Sequence, residues 1–177
     1  MPFPVAHSLA GISITLTAKI DRRRSFYSEI LLAAFLSNLP DFDFLLVLVT
    51  GSLACHRSFS HSLLAALLVG SLTAFIRNGS FHKKDSLVYT LVYFSHIFLD
   101  FILSTRNGVQ MFWPLSKLKI TAGVITYPLY NWLDYDGFTL IERLAFISLL
   151  EIFFFSPVLF VVFIARRYLS DSNVVDQ

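Results

Sequence analysis

The chain has 177 residues, of which 55% are hydrophobic and 16% aromatic, with a mean hydropathy of +0.66 and a formal charge of only +2. That apolar load exceeds what a water-soluble domain of this size carries, and the near-neutral charge, with Lys and Arg grouped at segment ends, argues against a nucleic-acid partner. A lone cysteine, Cys55, excludes an internal disulfide framework.

The chain starts MPFPVAHSLAG, with no basic region ahead of the apolar run, so His7 reads as part of the mature protein rather than of a removable signal. Val5 to Ile20 is short and mildly apolar; it either crosses at a thin point or enters and stays partly buried against other segments. Ile30 to Thr50, Phe59 to Ile76, Ser86 to Ser104 and Leu144 to Ala165 are long enough, or nearly so, for a hydrocarbon layer that takes roughly 20 helical residues to cross. The predicted architecture is all-α: a polytopic transmembrane helical bundle of four to five spans, forming one membrane-embedded domain over 1–177 with a frayed polar tail at 170–177. Between the spans, Ala122 to Tyr135 carries Tyr127, Tyr130 and Trp132 among short apolar pieces and reads as an interfacial helix.

Basic residues orient such a bundle, because Lys- and Arg-rich loops stay cytoplasmic. Arg22 to Arg24, Arg77 with Lys83 and Lys84, and Arg166 with Arg167 all satisfy this at once, with Arg106, Lys117 and Lys119 as a minority outside. The heptad HRSFSHS at 56–62 then faces outward, as does the end of the Ser86 to Ser104 helix.

Most of the five histidines lie within or beside apolar stretches, where an ionisable group is costly and points to function. His96 and Asp100, in SHIFLD, stand four residues apart and share a helical face, a spacing that lets an imidazole and a carboxylate hold one cation. In SNLPDFDF, Pro40 interrupts the helix, so Asp41 and Asp43 sit on irregular backbone, which at depth lines a cavity or is covered by protein. Alternatively the two aspartates cap the next helical piece. Ser58 and Ser60 offer N-caps that would start a helix near His61 and leave His56 on the loop. On the predicted topology His56, His61, His96 and Asp100 converge on one side, with Asp41 and Asp43 just below and His7 at a similar level. Imidazole and carboxylate without thiolate suit zinc, with manganese or iron as alternatives, and seven candidate ligands suffice for two or more ions. A metal-acidified water would serve hydrolysis of an ester or phosphodiester. Arg57 either forks onto a substrate phosphate or carboxylate or snorkels to headgroups. His82 reads as solvated, and Glu151, in LLEIFFF, as a buried acid that pairs with a loop or helix group or assists a proton path.

Taken as a set, His7, PDFD at Pro40 to Asp43, HRSFSHS at His56 to Ser62, and SHIFLD followed by Thr105, Gly108 and FWPL at Phe112 to Leu115 resemble the YdjM-like inner-membrane metal-dependent hydrolases of bacteria and archaea. The likeness runs from about residue 4 to about residue 120. This chain departs from the family pattern at Ala6, where threonine is usual, at Ser58, where glycine is usual, and at Ser60, where serine in place of threonine keeps the hydroxyl. The resemblance implies that His7, Asp41, Asp43, His56, His61, His96 and Asp100 form the metal set, with Ser62 and Thr105 in support. More distantly the family is similar to the zinc-dependent phospholipase C and nuclease P1 group, which implies a phospholipid or lipid-linked phosphate as substrate.

The expected function is therefore a membrane-bound, outward-facing metal-dependent hydrolase of the inner membrane, with Asp41 or Asp43 as general base and Arg57 on the substrate. One rival is a transporter or metal-ion carrier using the same cluster, which would need polar residues continuing to the cytoplasmic side. Another is a structural membrane protein whose histidines tie helices together. Oligomeric state is left open.

Overall fold

The computed structural model describes residues 4–18, 25–52, 56–103, 108–123 and 139–175, with backbone alone at 140 and 167–175. Arg22 to Arg24, Cys55, Thr105, Arg106 and the aromatic segment around Tyr127 to Trp132 lie outside these residues. Regular structure among the described residues is helical throughout: α1 Pro4–Thr17, α2 Phe26–Asn38, α3 Phe44–Thr50, α4 Leu63–Asn78, α5 Lys83–Leu103 and α6 Leu140–Val175. Short 3-10 turns at Leu39–Asp43 and Phe59–His61 complete the order.

Among the described residues, three segments are long and apolar enough to cross a membrane: Phe26–Thr50, Lys83–Leu103 and Ile141–Arg166. At 1.5 Å per residue the 21 residues of α5 reach about 31 Å, enough for a hydrocarbon core of about 30 Å. The 16 residues of α4 reach about 24 Å and the 14 of α1 about 21 Å, so neither crosses straight on its own. α1, which overlaps Val5 to Ile20, packs against α2, α5 and α6.

Helix directions follow from their contacts. Asn38 at the end of α2 donates to the Ser8 hydroxyl near the start of α1, and Tyr89 near the start of α5 donates to Glu29 near the start of α2. Thus α2 and α5 run together, and α1 runs against them. α4 runs against α5, since its last turn places Arg77 on Glu29. α6 runs alongside α1, with Glu151 at Ala6 and Arg166 at Leu16. The chain therefore has two chemically different ends. The buried Glu29 and Tyr89 and the exposed Arg77 form a polar knot at the basic end, which Arg166 and the first turn of α5 share. His7, His56, His61 and His96 lie at the other.

Between the ends Ala33, Leu36, Ala74, Tyr89 and Val92 make one core cluster, and Ala66, Tyr93, Ile97 and Val109 a second. Small residues set the helix spacing, as expected where lipid supplies no hydrophobic drive for association. A Cβ on Gly70 would lie 2.2 Å from the Thr90 hydroxyl oxygen, and one on Gly11 2.7 Å from the Ser37 Cβ, so glycine permits the α4/α5 and α1/α2 crossings. α6 packs chiefly on α1 and leaves Phe153, Phe154, Phe160 and Phe163 exposed, a surface suited to acyl chains.

Two sequence expectations are corrected. Ser62, rather than Ser58 or Ser60, caps α4, its hydroxyl accepting from the Ala65 N–H at 3.1 Å, because Phe59–His61 closes into a 3-10 turn first. The polar tail does not fray at 170: α6 continues to Val175, and no glycine or proline follows Pro157 to stop it.

Candidate metal centre

Pro40 at the N-terminal side of Leu39–Asp43 ends the regular hydrogen bonding of α2, and the tighter 3-10 turn that follows presents Asp41 and Asp43 toward α4 and α5. Opposite, the i, i+4 spacing of α5 aims His96 and Asp100 the same way, both fully buried. Asp43 then anchors the heptad. Its Oδ1 meets His56 Nδ1 at 2.7 Å, and its Oδ2 accepts from the Arg57 backbone N–H at 2.9 Å and the Ser60 hydroxyl at 2.5 Å. Arg57 turns the chain with a left-handed φ of 60°. Ser58, by contrast, has a negative φ of −98° with ψ −119°, outside both the helical and the extended regions.

The turn from Arg57 to Ser60 is strapped from outside by 108–120. Gln110 donates to the Arg57 carbonyl, Leu63 to the Met111 carbonyl, and Lys119 Nζ to the His56 carbonyl at 2.9 Å. From inside, the Tyr93 hydroxyl donates to the Ser60 carbonyl at 2.8 Å. Tyr93 stands three residues before His96 on one helical face, a spacing visible in the sequence that could have revealed it. The contacts of Lys119 and the Ser37 carbonyl depend on chain segments remote in sequence and carried no such signal.

Tautomers follow from the neighbours. His96 Nδ1 lies 2.8 Å from the Ser37 carbonyl oxygen, which can only accept, so the proton sits on Nδ1 and the lone pair on Nε2. His61 Nδ1 lies 3.0 Å from Ser60 Oγ and 3.3 Å from Asp43 Oδ2; since the serine hydroxyl already donates to Asp43, His61 too carries its proton on Nδ1. The two Nε2 lone pairs thus face each other at 3.2 Å. Asp41 Oδ1 joins them at 3.6 Å from His61 Nε2 and 3.4 Å from His96 Nε2, and Asp100 Oδ2 at 3.5 and 4.0 Å. Against the cost of burial, hydrogen bonds to Asp100, Asp41 and Asp43 raise the His61 pKa to about 10, so without an ion His61 holds a second proton; with it neutral, four electron-pair donors converge and Asp41 Oδ1 has no hydrogen-bond donor. Such a buried group is costly unless a cation occupies its centre. Metal–ligand bonds of about 2.1 Å in a tetrahedron put neighbouring ligands about 3.4 Å apart, so the spacing fits a zinc-sized ion.

Asp41, Asp43 and His56 form a second group with metal-ligand spacing, and Asp41 belongs to both. This group is the open one: the Asp41 side chain is 31% exposed and that of His56 13%, whereas Asp43 is 1% exposed. Five of the seven predicted ligands therefore form a first group with its close neighbour Asp43, and His56 completes the second. His7 belongs to neither group. It is fully buried, stacks on His96 with ring centroids 3.7 Å apart, and holds Nε2 3.9 Å from Asp100 Oδ1. Neither of its ring nitrogens has a hydrogen-bond partner. Arg57 does not snorkel to headgroups: its side chain is buried, with Nη2 2.9 Å from Asp100 Oδ2. Ser62 supports the site as the α4 cap, and His82 is exposed, far from it in sequence and at the opposite end.

Comparison with known proteins identifies the family. The family of YdjM inner membrane proteins matches residues 1–170. The chain is also similar to the inner membrane protein YbcI of Escherichia coli (strain K12), 32% identical over 130 residues that cover 69% of this chain and 73% of that protein. No solved structure matches it. With the match extending over nearly its whole length, this chain belongs to the YdjM inner membrane protein family.

Proposed function

We propose that this protein is a membrane-bound metal-dependent hydrolase that cleaves a phosphoester or phosphodiester of a lipid or lipid-linked substrate with water. The observation that carries this reading is the convergence of His61 Nε2, His96 Nε2, Asp41 Oδ1 and Asp100 Oδ2 at metal-ligand spacing. Two nitrogens and two oxygens without thiolate suit zinc, with manganese or iron as the alternatives. A bound divalent ion acidifies water and offsets phosphoryl charge.

The chain's own residues supply the rest. Asp43, with both oxygens engaged, orients His56 and His61 rather than acting as base. Asp41 is the carboxylate that reaches the open side, and we assign it the water's proton. The water oxygen bonds to phosphorus, the ester P–O bond breaks, and that proton goes to the leaving oxygen. Arg57, buried with Nη2 2.9 Å from Asp100 Oδ2, offsets that carboxylate's charge rather than reaching the substrate.

A lipid substrate is favoured by depth. The seven residues of α3 continue the Phe26–Thr50 segment about 10 Å beyond Asp43 and bury none of their side chains. Phe35, Phe42 and Phe44 are about half exposed, and the Phe44 ring stands 5.8 Å from that of His56. The open side of the cluster thus lies below the apolar edge and is bordered by rings that acyl chains would cover. Arg77, Lys83 and Lys84 at the opposite end favour, by the positive-inside tendency, an outward-facing cluster. A carrier is disfavoured by the Ala33, Leu36, Ala74 and Val92 layer, which separates the cluster from the polar knot at Glu29.

Detergent-purified protein, assayed on phospholipid vesicles and on soluble phosphodiesters, is expected to release product from the lipid substrate, to lose activity to chelator and to regain it with zinc. Asp41→Asn is expected to lower turnover at least ~100-fold. Turnover insensitive to both chelator and Asp41→Asn would refute the proposal.

A further inference from the structure

Glu151 is a carboxylic acid in the middle of the most lipid-exposed helix, yet its own side chain is buried, and the hydrolytic reading gives it no task. An acid at that depth is costly and needs a compensating partner. Its Oε2 accepts from the backbone N–H of Ala6 at 3.0 Å. Ala6 is the third residue of α1, so its N–H is one of those in the first turn that no intrahelical carbonyl reaches. Away from water such a group must find an acceptor, and a negative charge at a helix N-terminus is favoured by the aligned peptide dipoles. At the other end of α1, Arg166 Nη1 reaches the Leu16 carbonyl at 3.4 Å. α6 therefore grips a helix too short to span the membrane, acid to its N-terminus and base to its C-terminus.

His7 is the next residue after Ala6. Its ring stacks on His96 and faces Asp100, but it has no hydrogen bond of its own to hold it there. We infer that Glu151 is the positioning residue for His7: by fixing the first turn of α1 it sets the height at which the His7 imidazole stacks on His96, and through that stack the geometry of the metal group. This rests on reading the cluster as a metal centre. Arg166 holds the remote end and leaves that height nearly unchanged.

Two measurements on the full-length protein in detergent test the inference, one independent of metal. In hydrogen–deuterium exchange of metal-free protein, Glu151→Ala speeds exchange at the N-terminal end of α1, Glu151→Gln, which keeps an acceptor oxygen, does not, and Arg166→Ala acts only at the C-terminal end. In cobalt(II) binding, Glu151→Ala weakens affinity about tenfold and shifts the visible bands, whereas Glu151→Gln stays within about threefold of the parent, the range expected for loss or retention of a group that orients a metal neighbour. The double variant His7→Ala/Glu151→Ala binds no more weakly than His7→Ala, because both act through one ring. Unchanged exchange in Glu151→Ala, or additive losses in the double variant, overturns the inference. A parent protein that binds no cobalt(II) while Glu151-dependent protection persists overturns the metal reading and leaves Glu151 as the determinant of His7 placement.

Discussion

Replacing His96 by alanine gives the most direct test of the cluster. In the parent, the five measured separations among Asp41 Oδ1, His61 Nε2, His96 Nε2 and Asp100 Oδ2 lie between 3.2 and 4.0 Å. A regular tetrahedron with such edges has its centre about 2.2 Å from each corner, close to zinc–nitrogen and zinc–oxygen bond lengths and shorter than the 2.3–2.6 Å of calcium. His96→Ala removes one corner, the Ser37 carbonyl's donor and the ring against which His7 stacks. Loss of a group that merely orients a ligand costs about 10- to 100-fold in affinity, so loss of a ligand together with that orientation should cost at least ~100-fold, or about 2.7 kcal/mol. The assay is elemental analysis of protein gel-filtered in detergent, with zinc affinity from competition against a chromophoric chelator. His96→Gln, which keeps bulk and polarity, separates loss of a ligand from loss of packing and should lose metal comparably. If both variants retain the parent's metal content and affinity, the cluster is a hydrogen-bonded helix tie and the hydrolytic proposal fails with it.

X-ray absorption of the zinc-loaded protein should show a shell of nitrogen and oxygen at about 2.0–2.1 Å with no sulfur scatterer, since no cysteine belongs to either ligand group; a sulfur shell would place the ion elsewhere. Gly70→Ala should destabilise the α4/α5 pair by about 1–3 kcal/mol, because the new Cβ meets Thr90 backbone as well as its hydroxyl. Thermal unfolding in detergent measures it, and an unshifted midpoint would mean that the two helices do not cross there.

How much of this was legible beforehand depended on the range of each contact. His96 and Asp100 could be paired from the sequence because helical periodicity alone puts them on one face. The break at Pro40 was equally local, and so was the expectation that Asp41 and Asp43 sit on irregular backbone. The division of labour between those two aspartates was not legible. It arises because residues 56–60 fold back onto Asp43 and occupy both its oxygens, which leaves Asp41 to face the opening. The starting point of α4 was misread for a related reason: three serines in HRSFSHS all qualify as caps, and only the 3-10 closure at Phe59–His61 selects Ser62. Arg57 was open to two readings because its neighbours in sequence are polar, whereas its partner Asp100 is more than forty residues away. Glu151 shows the limit most clearly, since a buried acid in a phenylalanine-rich helix announces a partner without saying which.

Formal charge links the geometry to the chemistry. Asp41, Asp43 and Asp100 bring three negative charges to a region screened from water, and the Arg57 guanidinium returns one positive charge, while the hydrogen-bond pattern leaves His61 and His96 as neutral donors of electron pairs. With both histidines neutral, two negative charges remain uncompensated, a costly state at membrane depth. One divalent cation in the group of Asp41, His61, His96 and Asp100 cancels them, so a resident ion there makes the cluster neutral as well as geometrically satisfied. A second ion in the more exposed group of Asp41, Asp43 and His56 would then carry an excess of two positive charges at the side that opens beside Phe42 and Phe44. On the proposed hydrolytic function, a phosphate ester on an acyl-bearing molecule would supply both the opposing charge and an apolar body for the rings at the rim.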